Sequence, residues 1–283
     1  MSPRDEGPPI RVAVGAATHE GLRRRINEDA HLARSPLFLV ADGMGGHDAG
    51  DIASAAVIDE FSALPGTSVT VDHLQQALER ARVRVDALRA GERAAGTTLS
   101  GVAIADIDGE GYWLTLNVGD SRTYRFFDGV LEQISVDHSV VQELVDSGAL
   151  DEGDAASDSR RNVITRAIGA GSTGEADFWL IPAEAGDRML VCSDGLSGEL
   201  DAQGIADILA GVRDPQLAAN RLVHEAILRG GRDNITAIVV DALEVSTRNA
   251  GDDHDTRPPE PADDGPDVDT ETRPRAAASE GAR

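Results

Sequence analysis

Residues 122–134 read RTYRFFDGVLEQI, two short runs of aromatic, β-branched and aliphatic residues divided by Asp128-Gly129. An Asp-Gly pair accepts the positive φ angles of a two-residue turn, so the stretch predicts a β-hairpin over residues 122–127 and 130–134. A hairpin implies antiparallel pairing. Outward from it, strand-like runs recur at residues 12–17, 37–41, 98–105, 112–118, 178–181, 189–192 and 235–240. Helical spacing appears elsewhere. Leu74, Ala77, Leu78, Ala81, Val85 and Leu88 share one helix face, with Asp72 placed as the N-cap. Residues 51–61 read as a helix. So do the segment carrying Val140, Val141, Leu144 and Val145, ended by Gly148, and the segment marked by Leu217, Arg221, Leu222 and Ile227. Strands and helices do not alternate one for one, so the expectation is an α+β fold of antiparallel sheet with segregated helices.

Composition narrows the function. The chain of 283 residues carries 50 acidic and 26 basic side chains, a net charge of −24, and every basic residue is arginine. Without lysine, Schiff-base chemistry and a P-loop are excluded. So acidic a chain has no basic face for nucleic acid. One cysteine, Cys192, rules out an intrachain disulfide framework and a cysteine zinc site. No apolar run is long enough to span a bilayer, and the first residues lack the apolar core of a secretory signal. The expectation is a soluble, cytoplasmic, monomeric protein without membrane or nucleic-acid partners. Residues 247–283 hold 10 acids, five arginines and five prolines, with Val268 the one branched aliphatic. Such a segment cannot bury enough apolar surface to offset its ordering entropy. The expected organisation is a disordered stretch at 1–9, one domain at 10–245 and a disordered acidic, proline-rich tail at 246–283.

Three apolar runs end on an aspartate: LFLVADGMGG at Asp42, WLTLNVGDSR at Asp120 and RMLVCSDGLS at Asp194. A fourth, GRDNITAIVVD, sets Asp233 just before its strand. In an antiparallel sheet the exit of one strand and the entrance of its neighbour share an edge, so these carboxylates are expected to converge. Each has a glycine close by: Gly43, Gly119, Gly195 and Gly231. One Asp beside Gly is an ordinary turn. Four with the same arrangement would repel one another without a counter-charge. Oxygen donors without cysteine suit Mg²⁺ or Mn²⁺ rather than zinc.

The motifs GLRRRINEDA, VADGMGGHDAG, GTTLSGVAI, NVGDSRTYRF, DHSVVQELVDSGAL, NVITRAIG, VCSDGL and RDNITAIVVD occur in this order between residues 21 and 241. Together they closely resemble the short bacterial form of the metal-dependent PPM, or PP2C-type, serine/threonine protein phosphatases. The resemblance implies a four-layer α-β-β-α sandwich of two antiparallel sheets flanked by helices. It implies that Asp42 bridges two metal ions, that the Gly43 carbonyl binds one of them, and that Asp194 and Asp233 complete the ligands. Glu28 would act through a water, and Asp120 would help hold a weak third ion. Arg24 falls at the phosphate-binding arginine, with Arg23 and Arg25 as neighbours open to the same role.

The implied chemistry is hydrolysis of phosphoserine and phosphothreonine in proteins by a water that the two cations acidify, with no phosphoenzyme. Cys192 is then a buried core thiol. The implied partners are phosphorylated proteins and bacterial Ser/Thr kinases. Three departures from the family pattern stand out. Met44 replaces a histidine found in many eukaryotic relatives, which leaves His47 or a metal-bound water as general acid. Gly198-Glu199 stands where a second Asp usually serves the third metal. Asp158-Ser159 precedes Arg160-Arg161-Asn162 in the flap, residues 137–166. Two other readings stay open: a catalytically weak phosphoprotein-binding module, and a phosphatase of anti-anti-sigma-type regulators.

Overall fold

The computed structural model describes residues 7–45, 49–88, 95–155, 158, 160, 163–172 and 174–247. Expectations for His47, for Ser159, Arg161 and Asn162 in the flap, and for 1–6 and 248–283 lie outside the described residues. The chain begins with β1 (Ile10–His19), β2 (Asp29–Arg34), β3 (Leu37–Met44), α1 (Gly50–Ser62) and α2 (Val71–Ala87). It continues through β4 (Gly96–Thr97), β5 (Leu99–Ile107), β6 (Glu110–Val118), β7 (Arg122–Phe127), β8 (Val130–Gln133), α3 (Val140–Asp146) and α4 (Glu152–Ala155). Then come β9 (Ile168–Gly169), β10 (Asp177–Pro182), β11 (Arg188–Cys192), α5 (Asp194–Ser197), α6 (Ala202–Gly211), α7 (Pro215–Arg229) and β12 (Ile235–Val245). Among the described residues no helix is long and apolar enough to cross a membrane.

The hairpin forms as expected: φ is 49° at Asp128 and 79° at Gly129, the geometry that matches strand twist. One sheet runs β1-β12-β11-β7-β8. The other runs β10-β6-β5-β3-β4-β9, with β2 also paired to β3. All these pairings are antiparallel.

Alternation along each central strand builds the layers. Phe38 and Val40 face the space between the sheets with Ile104, Trp113, Met189, Val191 and Ile238. Leu37, Leu39 and Ala41 face the other way, against Phe61 of α1 and Leu74, Ala77 and Val85 of α2. Leu190, Cys192 and Val239 pack on Leu209 of α6 and Leu222 of α7. The order is therefore helix, sheet, sheet, helix. Cys192 is fully buried, as expected.

One cap differs from expectation. Helix α2 begins one residue before Asp72, because the extended Thr70 supplies the cap and its hydroxyl accepts from His73 N. Asp72 lies in the first turn, where a negative charge still complements the helix dipole.

Candidate active site

The strand register sets one rim of the sandwich. Asp42 faces Asp29 across β3 and β2, and Gly43 faces Thr97. Cys192 faces both Ala237 and Arg122. The residues just beyond these pairs, Asp194, Asp120 and Asp233, leave the sheet at the same end. The expected convergence holds. Thr97 and Thr98 fix Asp42: Thr97 Oγ1 and Thr98 N donate to its carbonyl at 2.9 Å, and its own N–H donates to Thr98 Oγ1 at 3.0 Å. A side chain at Gly43 would collide with Gly50 O at 2.3 Å and Glu28 O at 2.6 Å, so this close approach near the end of β3 demands glycine.

Asn234 ties the arginine-rich loop to this rim. Its Oδ1 accepts from Glu28 N at 2.9 Å, and its Nδ2 donates to Glu20 O at 3.0 Å and Ile26 O at 2.9 Å. Among Arg23, Arg24 and Arg25, Arg24 reaches inward, with Nη2 donating to Asp233 Oδ2 at 2.7 Å. Asp29, unremarked beside Glu28 in the sequence, belongs to the cluster. Ser193 Oγ and Thr236 Oγ1 donate to its Oδ2 at 2.8 and 2.7 Å. Its signal was the acidic pair Glu28-Asp29, of which the motif reading used one member.

Asp29, Asp42 and Asp194 keep part of their residue surface open. One carboxyl oxygen each of Asp29 and Asp194 is nevertheless shut off from water, and that local environment governs their charge. Loss of water, then mutual repulsion, pushes Asp42 and Asp120 well above the usual carboxylate range. The same causes raise Asp194 and take Asp29 to about 7, although the hydroxyls of Thr236 and Ser193 oppose the rise at Asp29. Glu28 is raised by burial against the lowering effect of Arg24.

The residues fit a hard cation in kind. Buried oxygens of Asp29, Asp120 and Asp194 have no hydrogen-bond partner. Among the described residues, no three acidic, histidine or cysteine groups surround one point closely enough to hold an ion. Glu199 does not supply the carboxylate missing at Gly198. It accepts from Arg232 N, Nε and Nη2 at 3.0, 2.9 and 2.8 Å, and its side chain is 3% exposed. A cavity of about 820 Å³ opens beside Asp120, Asp194 and Asp233.

Two antiparallel sheets between helix layers, with a cluster of desolvated aspartates at one rim, define an α-β-β-α sandwich. The profile of protein phosphatase 2C matches residues 23–226, and the chain belongs to that family. A serine/threonine phosphatase of Listeria innocua is 32% identical over 239 residues, which are 79% of this chain and 93% of that protein. The crystal structure of the Mycobacterium tuberculosis serine/threonine phosphatase PstP/Ppp superposes with a TM-score of 0.75 at 34% identity, covering 82% of this chain and 99% of that one. A structure of the PstP catalytic domain in complex with two manganese ions gives a TM-score of 0.73 at 33% identity, covering 82% and 99%.

Proposed function

We propose that residues 10–245 form the catalytic domain of a phosphatase that removes phosphate from phosphoserine and phosphothreonine in proteins. The carrying observation is the desolvated rim of Asp29, Asp42, Asp120 and Asp194, with unmet oxygens on three of them, facing the Arg24 guanidinium. On this reading Asp42, Asp194, Asp233 and the Gly43 carbonyl hold two divalent ions, Mn²⁺ or Mg²⁺. Glu28 contributes through a water, and Asp120 serves a weak third position. When bound, the ions supply positive charge at the phosphate and make water acidic enough to serve as nucleophile near neutral pH.

The chain's own groups do the rest. Arg24 offers a planar fork to two phosphate oxygens and stabilises negative charge that grows there. Thr97 and Thr98 hold the Asp42 backbone, and Asn234 keeps the Arg24 loop against the strand that Asp233 precedes. Cys192 takes no part as nucleophile: burial pushes its thiol up to about 12. A module that only binds phosphoproteins has no use for mutually repelling carboxylates, and no observation favours anti-anti-sigma regulators as substrates. The likeness to bacterial serine/threonine phosphatases supports phosphorylated proteins as the targets; on this reading bacterial Ser/Thr kinases make them, in the cytoplasm, and the enzyme acts as a monomer.

Turnover of p-nitrophenyl phosphate and of a phosphothreonine peptide, with Mn²⁺, with Mg²⁺ and with chelator, tests the reading. Metal-dependent release of phosphate from both substrates is expected. No turnover with either ion would overturn it.

A further inference from the structure

His138, in the DHS stretch that opens the flap, is buried, and the reaction as proposed gives it no part. Both of its ring nitrogens are engaged. Gly119 N–H donates to Nδ1 at 3.1 Å, so the ring proton sits on Nε2, which donates to Asp177 Oδ2 at 3.0 Å. Arg166 Nη1 donates to the other oxygen of Asp177 at 3.2 Å. The ring is thus strung between the first residue of β10 and the residue immediately before Asp120. The backbone of His138 is held separately. Its N–H donates to Gly119 O at 2.9 Å, its carbonyl accepts from Thr165 N at 2.8 Å, and Ser139 bridges to Ile164. A ring substitution therefore leaves the stem of the flap its own bonds.

Asp120 depends on the turn beneath it. One of its carboxyl oxygens is buried without a hydrogen-bond partner, which leaves its aim to the backbone that carries it. Gly119 holds φ at 104°, and a Cβ there would meet Thr98 Cγ2 at 2.6 Å, so the turn is tight and specific. Asn117 Nδ2 holds the Gly119 carbonyl at 3.0 Å, and the His138 ring holds its N–H. We propose that His138 is a positioning residue for the weak third cation: the chain of bonds from Asp177 through the ring to Gly119 N–H sets the turn that presents Asp120. This role rests on the place given to Asp120 in the function proposed above. Loss of an outer group that orients a metal ligand costs about 10- to 100-fold in metal affinity.

The test is calorimetric titration of the full chain with Mn²⁺, in wild type, Asp120→Asn, His138→Gln, His138→Asn and Asp177→Ala. Wild type should show a weaker binding step beyond the tighter ones, and Asp120→Asn should lose it. Asn places an amide oxygen near the position of Nδ1, where it can accept from Gly119 N–H. Gln carries its amide out to the position of Nε2 and leaves that N–H unpaired. The weaker step is therefore expected to lose at least about tenfold in affinity in His138→Gln and to be largely recovered in His138→Asn, with the tighter steps unchanged in both. A mere packing role would not rank the two amides in this order or spare the tighter steps. Asp177 is 42% exposed, so Asp177→Ala should fold, and it should weaken the same step several-fold. It decides the matter if the ring variants do not fold. A weaker step that Asp120→Asn abolishes but His138→Gln, or in its place Asp177→Ala, leaves intact overturns the role of His138 alone. Equal loss in His138→Gln and His138→Asn overturns it too. A wild type with no weaker step overturns the Asp120 assignment and this role with it. No Mn²⁺ binding and no turnover of p-nitrophenyl phosphate overturn the function beneath both.

Discussion

Arg24 Nη2 and Asp233 Oδ2 stand 2.7 Å apart, so the guanidinium that would meet the phosphate is held by a carboxylate that would meet a metal ion. The Arg24 side chain is 50% exposed, so the contact is weak and exchangeable. On the proposed reading, an ion held by Asp233 would compete with Arg24 for that oxygen. Metal loading and phosphate binding would then be linked through one side chain.

Arg24→Ala is expected to raise KM for phosphorylated substrates, with a loss of about 1.5–3 kcal/mol, the range for hydrogen bonds to charged groups. Arg23→Ala and Arg25→Ala should stay near wild type, because neither guanidinium reaches a rim carboxylate. Steady-state kinetics on the three variants decides among them. Loss confined to Arg23→Ala or Arg25→Ala would transfer the role.

Asp194→Asn should lower kcat by orders of magnitude while the metal-free protein keeps or gains thermal stability. Asp194 sits among Asp42, Asp120 and Asp233, and its removal relieves repulsion. In wild type, an ion present at 100 times its dissociation constant adds about 2.7 kcal/mol. The variant should lose that rise in Tm. Thermal melts with and without Mn²⁺ check both halves, and a full Mn²⁺ shift in Asp194→Asn would refute the ligand assignment.

Chelated protein should lose stability as pH rises from about 4 towards 7. Asp29 has its carboxyl raised from the ordinary value near 4 to about 7, chiefly by burial. The folded chain therefore holds a proton that the unfolded chain has released, and folding weakens through that window. Asp42, Asp120 and Asp194 shift in the same direction. Saturating Mn²⁺ should flatten the dependence. A chelated protein whose urea midpoint rises steadily from pH 4.5 to 7 would contradict it.

Much of this was readable before the structure, and the gaps have physical causes. The Asp128-Gly129 turn and the four strand-end aspartates are local signals, and they located the hairpin and the rim. The partition of strands between sheets was not local. Strands such as β3 bury both faces, so LFLVA is a continuous apolar run with no alternation to reveal which side meets which layer. Strand β2, read as DAHLAR, has too few apolar residues to stand out and is recruited by pairing with β3. With it went Asp29. Helix α6 is short and carries glycines near both ends, which hid its period.

Glu199→Ala should weaken Mn²⁺ activation as well as stability. The carboxylate of Glu199, five residues after Asp194, clamps the residue immediately before Asp233 through three hydrogen bonds. Arg232 hangs partly in solvent, so the stability cost should be modest, about 1 kcal/mol. Loss of the clamp frees the Asp233 loop. The expected readout is a several-fold rise in the Mn²⁺ concentration for half-maximal activity, with partial recovery in Glu199→Gln. A melting shift with unchanged Mn²⁺ dependence would reduce the pair to a structural brace.

Cutting the chain after Thr247 should leave both the melting temperature and the rate on p-nitrophenyl phosphate unchanged, whereas cutting after Leu243 should cost stability. β12 pairs with β1 up to Val245 opposite Ile10, and Ser246 extends the bonding: its N–H donates to Pro9 O at 2.8 Å and its carbonyl accepts from Gly111 N at 3.0 Å. Losing residues 244–247 removes these bonds and the cover that Val245 gives the inter-sheet core. With each net hydrogen bond at about 1 kcal/mol, a loss of about 2–3 kcal/mol is expected for the shorter chain. The removed segment from 248 onward carries 10 acids and five arginines and no apolar pattern, so it has little to bury on the domain. Its negative charge should disfavour acidic phosphopeptides relative to basic ones at low salt, an effect screened over about 8–10 Å at physiological ionic strength. Comparing the two truncations with the full chain by thermal melt, and on acidic and basic phosphopeptides at low and high salt, separates the roles. A drop of many degrees on cutting after Thr247 would place part of the tail against the fold.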